Sequence, residues 1–217
     1  MTYTAKLSTP ATTLQLALRG LMPRWVSMLA ALATGLALMA SSPSALAAWD
    51  LQQLMDSLAQ NKSGRATFVE TKQIAVLDKP VESSGELLFT APDRLEKRTL
   101  RPKPESMVVN GDELSVERAG RKYQLQLQAY PELAAFIDSI RGTLAGDRQA
   151  LERNYRLSLG GSADRWDLQL LPLDEKMKAV IRRIRISGAR DQVSSIEINQ
   201  ADGDSSLMVI EKSTTAR

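Results

Sequence analysis

Along residues 49–213 the apolar positions change their period, and each change marks a change of element. The first stretch carries Leu51, Leu54, Met55 and Leu58 at helical spacing, behind Asp50 and with Gln53 three residues on. Asp50 and Gln53 can satisfy each other's backbone N–H groups, so the pattern predicts a short capped amphipathic helix ending near residues 61–64. Beyond it, short runs alternate apolar with polar residues and are separated by Gly, Pro, Asp and Asn, as half-buried strands are. The predicted strands are 65–77, 82–90, 94–100, 106–110, 113–118 and 122–128, with Asn110-Gly111-Asp112 as a hairpin signal. After Pro131-Glu132 the period returns to the helical one, with Leu133, Phe136, Ile137, Ile140 and Leu144 on one stripe. Gly142 and Gly146 are expected to interrupt or end this second helix, and 147–154 to form a further helical turn. Strands resume at 155–159, 165–171, 179–186, 192–199 and 205–211, with Gly160-Gly161, Gly188 and Asp202-Gly203-Asp204 at turns. The fold class is therefore α+β, mainly an antiparallel meander with two or three helices.

A long antiparallel sheet that curves strongly either closes on its own core or leaves an interior that helices must plug. Amphipathic helices at the start and middle of the meander suit the second arrangement. Helices held by apolar contacts can lift at modest cost and expose a cavity for an apolar ligand. Periodicity equally allows a filled α+β core with no cavity.

The N-terminus changes the electrostatic picture. Arg24 precedes an uncharged run from Trp25 to Ala40, followed by Ser41-Ser42-Pro43-Ser44-Ala45-Leu46-Ala47. This order reads as a secretory signal peptide over residues 1–47 with cleavage between Ala47 and Ala48, and translation is expected to start at Met22. The run of 16 residues from Trp25 to Ala40 falls short of the roughly 20 that cross a bilayer. Residues 1–47 hold Lys6, Arg19 and Arg24 and no acid, so the 28 Lys+Arg fall to 25 in residues 48–217, against 25 Asp+Glu. A near-neutral domain removes the main support for nucleic-acid binding. The expected organisation is one domain over residues 48–217, secreted to a Gram-negative periplasm.

Cysteine is absent, so no disulfide staples the fold and no thiol follows the signal to take a lipid anchor. Histidine is absent too, which removes Ser-His-Asp and Cys-His machinery and the commonest zinc ligand. No nucleophile elbow, phosphate-binding loop or dinucleotide fingerprint occurs. Asp202 and Asp204 open like a calcium loop, but Ser213 stands where the closing Glu is needed, so a turn is expected. These readings leave no catalytic, metal or cofactor residue to assign, and a protein that is not an enzyme is expected.

The ordered blocks Phe68-Val69-Glu70-Thr71-Lys72, Gly85-Glu86-Leu87-Leu88-Phe89, Pro92-Asp93-Arg94-Leu95-Glu96-Lys97 and Gly111-Asp112-Glu113-Leu114 resemble the LolA-like outer-membrane lipoprotein carriers. The resemblance runs over essentially all of residues 49–213, including the central helix and the Asp202-Gly203-Asp204 turn. It is similar in particular to a divergent branch associated with acyltransferases and large exporters in lipid pathways. It implies an incomplete, strongly curved β-barrel with a helical lid over a hydrophobic cavity. In the carrier proper an arginine before the strand-ending proline helps hold the lid closed. Here Ala91 occupies that place before Pro92, and a methyl group cannot donate the same hydrogen bonds. Arg94, Lys97 and Arg98 lie close by, either substituting for it or forming a solvated strand face.

The candidate ligand-cavity residues are Phe68, Leu87, Phe89, Leu95, Leu114, Val116, Leu125, Leu127, Phe136, Ile140 and Trp166, joined by Leu133 and Ile137 from the lid. Each can equally be plain core, because any curved sheet buries an alternating face. Leu51, Leu54, Met55 and Leu58 share that ambiguity. Glu70 and Lys72 are placed for a same-face ion pair. Arg182, Arg183 and Arg185 offer either a site for an anionic head group or a solvated face. The expected function is a soluble, monomeric carrier of lipid or another acylated molecule, served by an inner-membrane exporter and an outer-membrane acceptor. A lipid-sensing regulator of the same fold is the alternative.

Overall fold

The computed structural model describes residues 49–213. Helix α1 spans Leu51–Leu58 and opens on the predicted capping box: Asp50 accepts from the Gln53 N–H, and the Gln53 side chain accepts from the Asp50 N–H. Strands β1 (Ser63–Gln73), β2 (Val81–Thr90), β3 (Arg94–Arg101), β4 (Glu105–Asn110), β5 (Glu113–Arg118) and β6 (Arg121–Gln126) follow. A 3-10 turn at Leu127–Ala129 leads into α2 (Pro131–Ala145) and α3 (Arg148–Asn154). Strands β7 (Tyr155–Ser162) and β8 (Arg165–Pro172), the short α4 (Glu175–Lys178), then β9 (Ile181–Ala189), β10 (Gln192–Gln200) and β11 (Ser205–Lys212) complete the order.

All eleven strands form one antiparallel sheet in the order β6-β5-β4-β3-β2-β1-β11-β10-β9-β8-β7. The meander is thus two runs of hairpins joined where β1 pairs with β11, Phe68 opposite Ile210 and Glu70 opposite Met208. Strands β6 and β7 are the two edges and do not pair with each other, so the sheet is open, as expected for an incomplete barrel. Between those edges in sequence lie α2 and α3.

The helices divide the concave face unequally. A main core gathers Leu54, Met55 and Leu58 of α1, Leu151 of α3 and the inward residues of β7 to β10, from Tyr155, Trp166, Leu168 and Leu170 to Ile184, Ile186 and Ile196. Trp166 packs against Gly188, where a Cβ would come within 2.4 Å of the indole, and its Nε1–H donates to Arg190 O at 3.0 Å. A smaller core under the other end of α2 gathers Val109, Leu114, Leu127 and Ile137. Phe136 packs against both.

Several boundaries differ from the sequence reading, each for a local reason. The strand expected to run to Leu77 ends at Gln73, because the Leu77 N–H turns back to Ile74 O at 2.8 Å. The strand expected to reach Gln128 stops at Gln126, and Leu127 begins the 3-10 turn instead. Ala179, expected in a strand, caps α4, a four-residue helix without enough apolar period to be seen; its Asp174 cap accepts from Lys176 and Met177 N–H. Gly142 does not interrupt α2. It lets α3 approach, since a Cβ there would come within 2.9 Å of Leu151. Gly146 does end the helix, in the left-handed region at φ 67°. The expected signal peptide and the Ala47/Ala48 cleavage point lie outside the described residues.

Candidate functional site

Between the two cores the concave face is not filled. A cavity of about 1050 Å³ lies there. One wall comes from β1 to β4, with Ala66, Leu87, Phe89, Leu95, Met107 and Val109; the other comes from β9 to β11, with Ile181, Ile196, Ile198, Met208 and Ile210. Helix α2 covers it with Leu133, Phe136, Ile137, Ile140 and Leu144, the predicted stripe, and Leu58 of α1 closes part of one end. Strand alternation places apolar members of the lining, because inward residues of neighbouring strands stack in rows, as Leu95 does between Phe89 and Val109.

Of the candidate residues, Leu87, Phe89, Leu95, Phe136 and Ile140 line this cavity, as do Leu133 and Ile137. Six others stand outside the lining. Leu114 and Leu127 are buried in the smaller core, against which Val116 and Leu125 pack. Trp166 belongs to the main core. Phe68 is buried in β1, its ring centroid 4.9 Å beneath the Lys97 ammonium. Of the first helix only Leu58 reaches the cavity; Leu54 and Met55 are main core, with Leu51 packed against it.

Among the polar residues of the lining, Glu70, Lys72 and Lys97 form a cluster. Glu70 is only 5% exposed and meets Lys97 Nζ at 2.6 Å and Lys72 Nζ at 3.6 Å, with Ser83 Oγ donating to it at 3.5 Å. The anticipated Glu70–Lys72 pair therefore exists, but Lys97 from β3 is its closer member. Lys97 is not part of a solvated strand face. Arg94 and Arg98 are, and both hold Glu96 between them. None of the three reaches α2. The side chain that ties α2 to the sheet is Arg141, whose Nη1–H donates to Gly111 O at 2.6 Å while Asp138 steadies the guanidinium. The second tie is Tyr155 O–H donating to Ala135 O at 3.2 Å. Burial, partly offset by the Ser139 hydroxyl, pushes the Tyr155 phenol well above its usual range. Among the described residues these are the only side-chain hydrogen bonds from α2 to the sheet. Arg183 and Arg185 face Glu197, and Arg182 donates to Ala201 O, so the three arginines are engaged within the sheet. Asp202 and Asp204 form a turn, with Asp204 accepting from the Ala75 N–H.

An open antiparallel sheet with a covered apolar interior matches a known family. The model for the outer membrane lipoprotein carrier protein LolA-like family matches residues 40–216. The chain belongs to that family. Among curated proteins none matches the LolA-like sequence. Among solved structures it is similar to a LolA superfamily protein from Nitrosomonas europaea, at 10% identity over 78% of this chain and 96% of that one, TM-score 0.42. It is similar also to the lipoprotein LppX from Mycobacterium tuberculosis, at 10% identity over 77% and 96%, TM-score 0.40. A third is Pseudomonas aeruginosa MucB in its MucA/MucB complex, at 14% identity over 76% and 56%, TM-score 0.39.

Among the described residues no helix is long and apolar enough to cross a membrane.

Proposed function

We propose that this LolA-like chain is a non-enzymatic carrier that holds one acylated, lipid-like molecule in the cavity beneath α2. The observation that carries this reading is the cavity itself, about 1050 Å³ of mostly aliphatic wall left between two well-packed cores. An apolar hollow of that size that opens to solvent leaves hydrophobic wall wetted, and a bound chain would remove that wall from water. The upper size of ordinary ligand sites is about 1000 Å³, which suits one or two extended acyl chains rather than a small polar metabolite. Sparse polar ties on α2 support entry: lifting the helix breaks two side-chain hydrogen bonds and otherwise only apolar contacts. In this account the chain acts as a periplasmic monomer after loss of residues 1–47. It receives its cargo from an inner-membrane exporter and yields it to an outer-membrane acceptor.

The test is an equilibrium titration of the chain from Ala48 with a fluorescent fatty-acyl probe. Saturable uptake near one probe per chain, reversed by an unlabelled acylated lipid, supports the carrier. Failure to take up any acyl probe would remove it.

A further inference from the structure

Two neighbouring hairpin tips hold apolar side chains in water. The β1–β2 connection, residues 74–80, is closed by the Leu77 N–H to Ile74 O at 2.8 Å, and its Ala75 N–H is held by Asp204 at 2.8 Å. The backbone is therefore fixed, yet Val76 is 89% exposed and Leu77 49%. The β3–β4 connection lies at the same end of the barrel, because β2 runs back from the first tip and pairs with β3, Ser84 opposite Arg101. Leu100 there is 56% exposed. Large aliphatic groups held out by an ordered turn mark a surface that something else completes.

The charge of the tips says what kind of surface. Across residues 74–81 and 100–104 one acid, Asp78, stands against Lys79, Arg101 and Lys103. All three cations are exposed, and none makes a salt bridge among the described residues. The next acids, Glu82 and Glu105, lie one residue further into β2 and β4, and Glu105 is paired with Arg118 at 3.6 Å. Asp202 and Asp204 of the adjoining turn are engaged by backbone N–H groups. Aliphatic residues flanked by cations are the pattern that enters a bilayer interface and meets lipid phosphates. The cavity reaches this end, since Lys72, Gln73 and Ile74 contribute to its lining.

We propose that this end of the barrel docks on an anionic phospholipid surface, with Val76, Leu77 and Leu100 in the interface and Lys79, Arg101 and Lys103 on phosphates. The path of an acyl chain between bilayer and cavity then runs along Ile74, a clause that rests on the carrier reading.

The experiment is co-sedimentation of the chain from Ala48 with vesicles of phosphatidylcholine alone or mixed with phosphatidylglycerol. The expected result is partition at least tenfold stronger onto the anionic vesicles, weakening as salt rises. A Val76→Asp/Leu77→Asp variant should lose at least tenfold of that partition, and Lys79→Glu/Lys103→Glu should lose the anionic preference. Both substitute exposed positions and should still take up a soluble acyl probe. No partition onto either vesicle, or undiminished partition of both variants, overturns the docking surface. Probe uptake without vesicle binding would sink the docking proposal alone. Vesicle binding without probe uptake would sink the carrier reading alone.

Discussion

Placing a carboxylate at Phe136 probes the cavity most sharply, because this ring touches both cores and also lines the void. An aromatic side chain buries about 150–250 Å² when fully enclosed. At about 25 cal/mol per Å² and with Phe136 only partly buried, its loss should cost the fold roughly 2–3 kcal/mol. That is tolerable against a typical domain stability of about 5–15 kcal/mol. For the cargo, an acyl chain crossing the ring loses contact for about three methylenes at ~0.8 kcal/mol each, near 2.4 kcal/mol. Every 1.4 kcal/mol is tenfold in Kd, so contact loss alone weakens binding about fifty-fold. Stripping water from the new carboxylate raises this beyond about a hundredfold. Phe136→Leu keeps an apolar surface and should stay within roughly tenfold of the parent, since apolar exchanges of similar volume usually cost under about 1.5 kcal/mol. The assay is probe titration beside thermal unfolding. A Phe136→Asp variant that melts cooperatively and binds the acyl probe with the parent's Kd would refute the reasoning.

Gly146→Ala should lower stability by about 3 kcal/mol, because the residue sits at positive φ and a Cβ would lie 2.1 Å from Met55 O; a Tm drop of about 6–12 °C by calorimetry checks it. Lys97→Met leaves the buried Glu70 with Lys72 at 3.6 Å as its one charged partner and should cost about 2–4 kcal/mol in denaturant unfolding. Glu70→Leu/Lys97→Met should recover most of that loss, because no buried charge is left unpaired and Lys72 is half-exposed to water. Tyr155→Phe should cost about 1 kcal/mol at neutral pH through the lost bond to Ala135 O. The phenol is held neutral by burial, so its unfolded form ionises first as pH rises past the ordinary tyrosine value of 10.0. The parent's stability should therefore fall above that value, and Tyr155→Phe should lack this part of the fall. A pH series of unfolding curves tests both. Arg141→Ala frees α2 from Gly111 O and should speed probe entry in stopped flow while leaving the lining intact.

Elements whose chemistry is local were readable in advance. The Asp50/Gln53 box, the α2 stripe, the Gly111-Asp112 turn and the alternating strands each rest on neighbours in sequence. The site was readable only in part. Leu87, Phe89, Leu95, Phe136 and Ile140 line the cavity, but Leu114, Leu127 and Trp166 obey the same alternation and are core instead. What separates them is where the helices rest. Helix α1 fills the half formed by β7 to β10, while β1, β2 and β11 have no helix seated fully on them. That same placement puts Ile196, Ile198, Met208 and Ile210 on the second wall, although their pattern is no different from Ile184 or Ile186. Arg141 was hidden for a related reason, since its partner Gly111 is 30 residues away and offers a backbone carbonyl, which no side-chain pattern reports.

The central claim is that the cavity is occupied in the cell. Native mass spectrometry of the chain from Ala48, purified gently from the cells that make it and followed by organic extraction, tests it directly. The account predicts a one-to-one complex with an acylated molecule that the extract identifies. Repeated recovery of bare chain that also refuses acyl probes would contradict it and leave the cavity a packing defect.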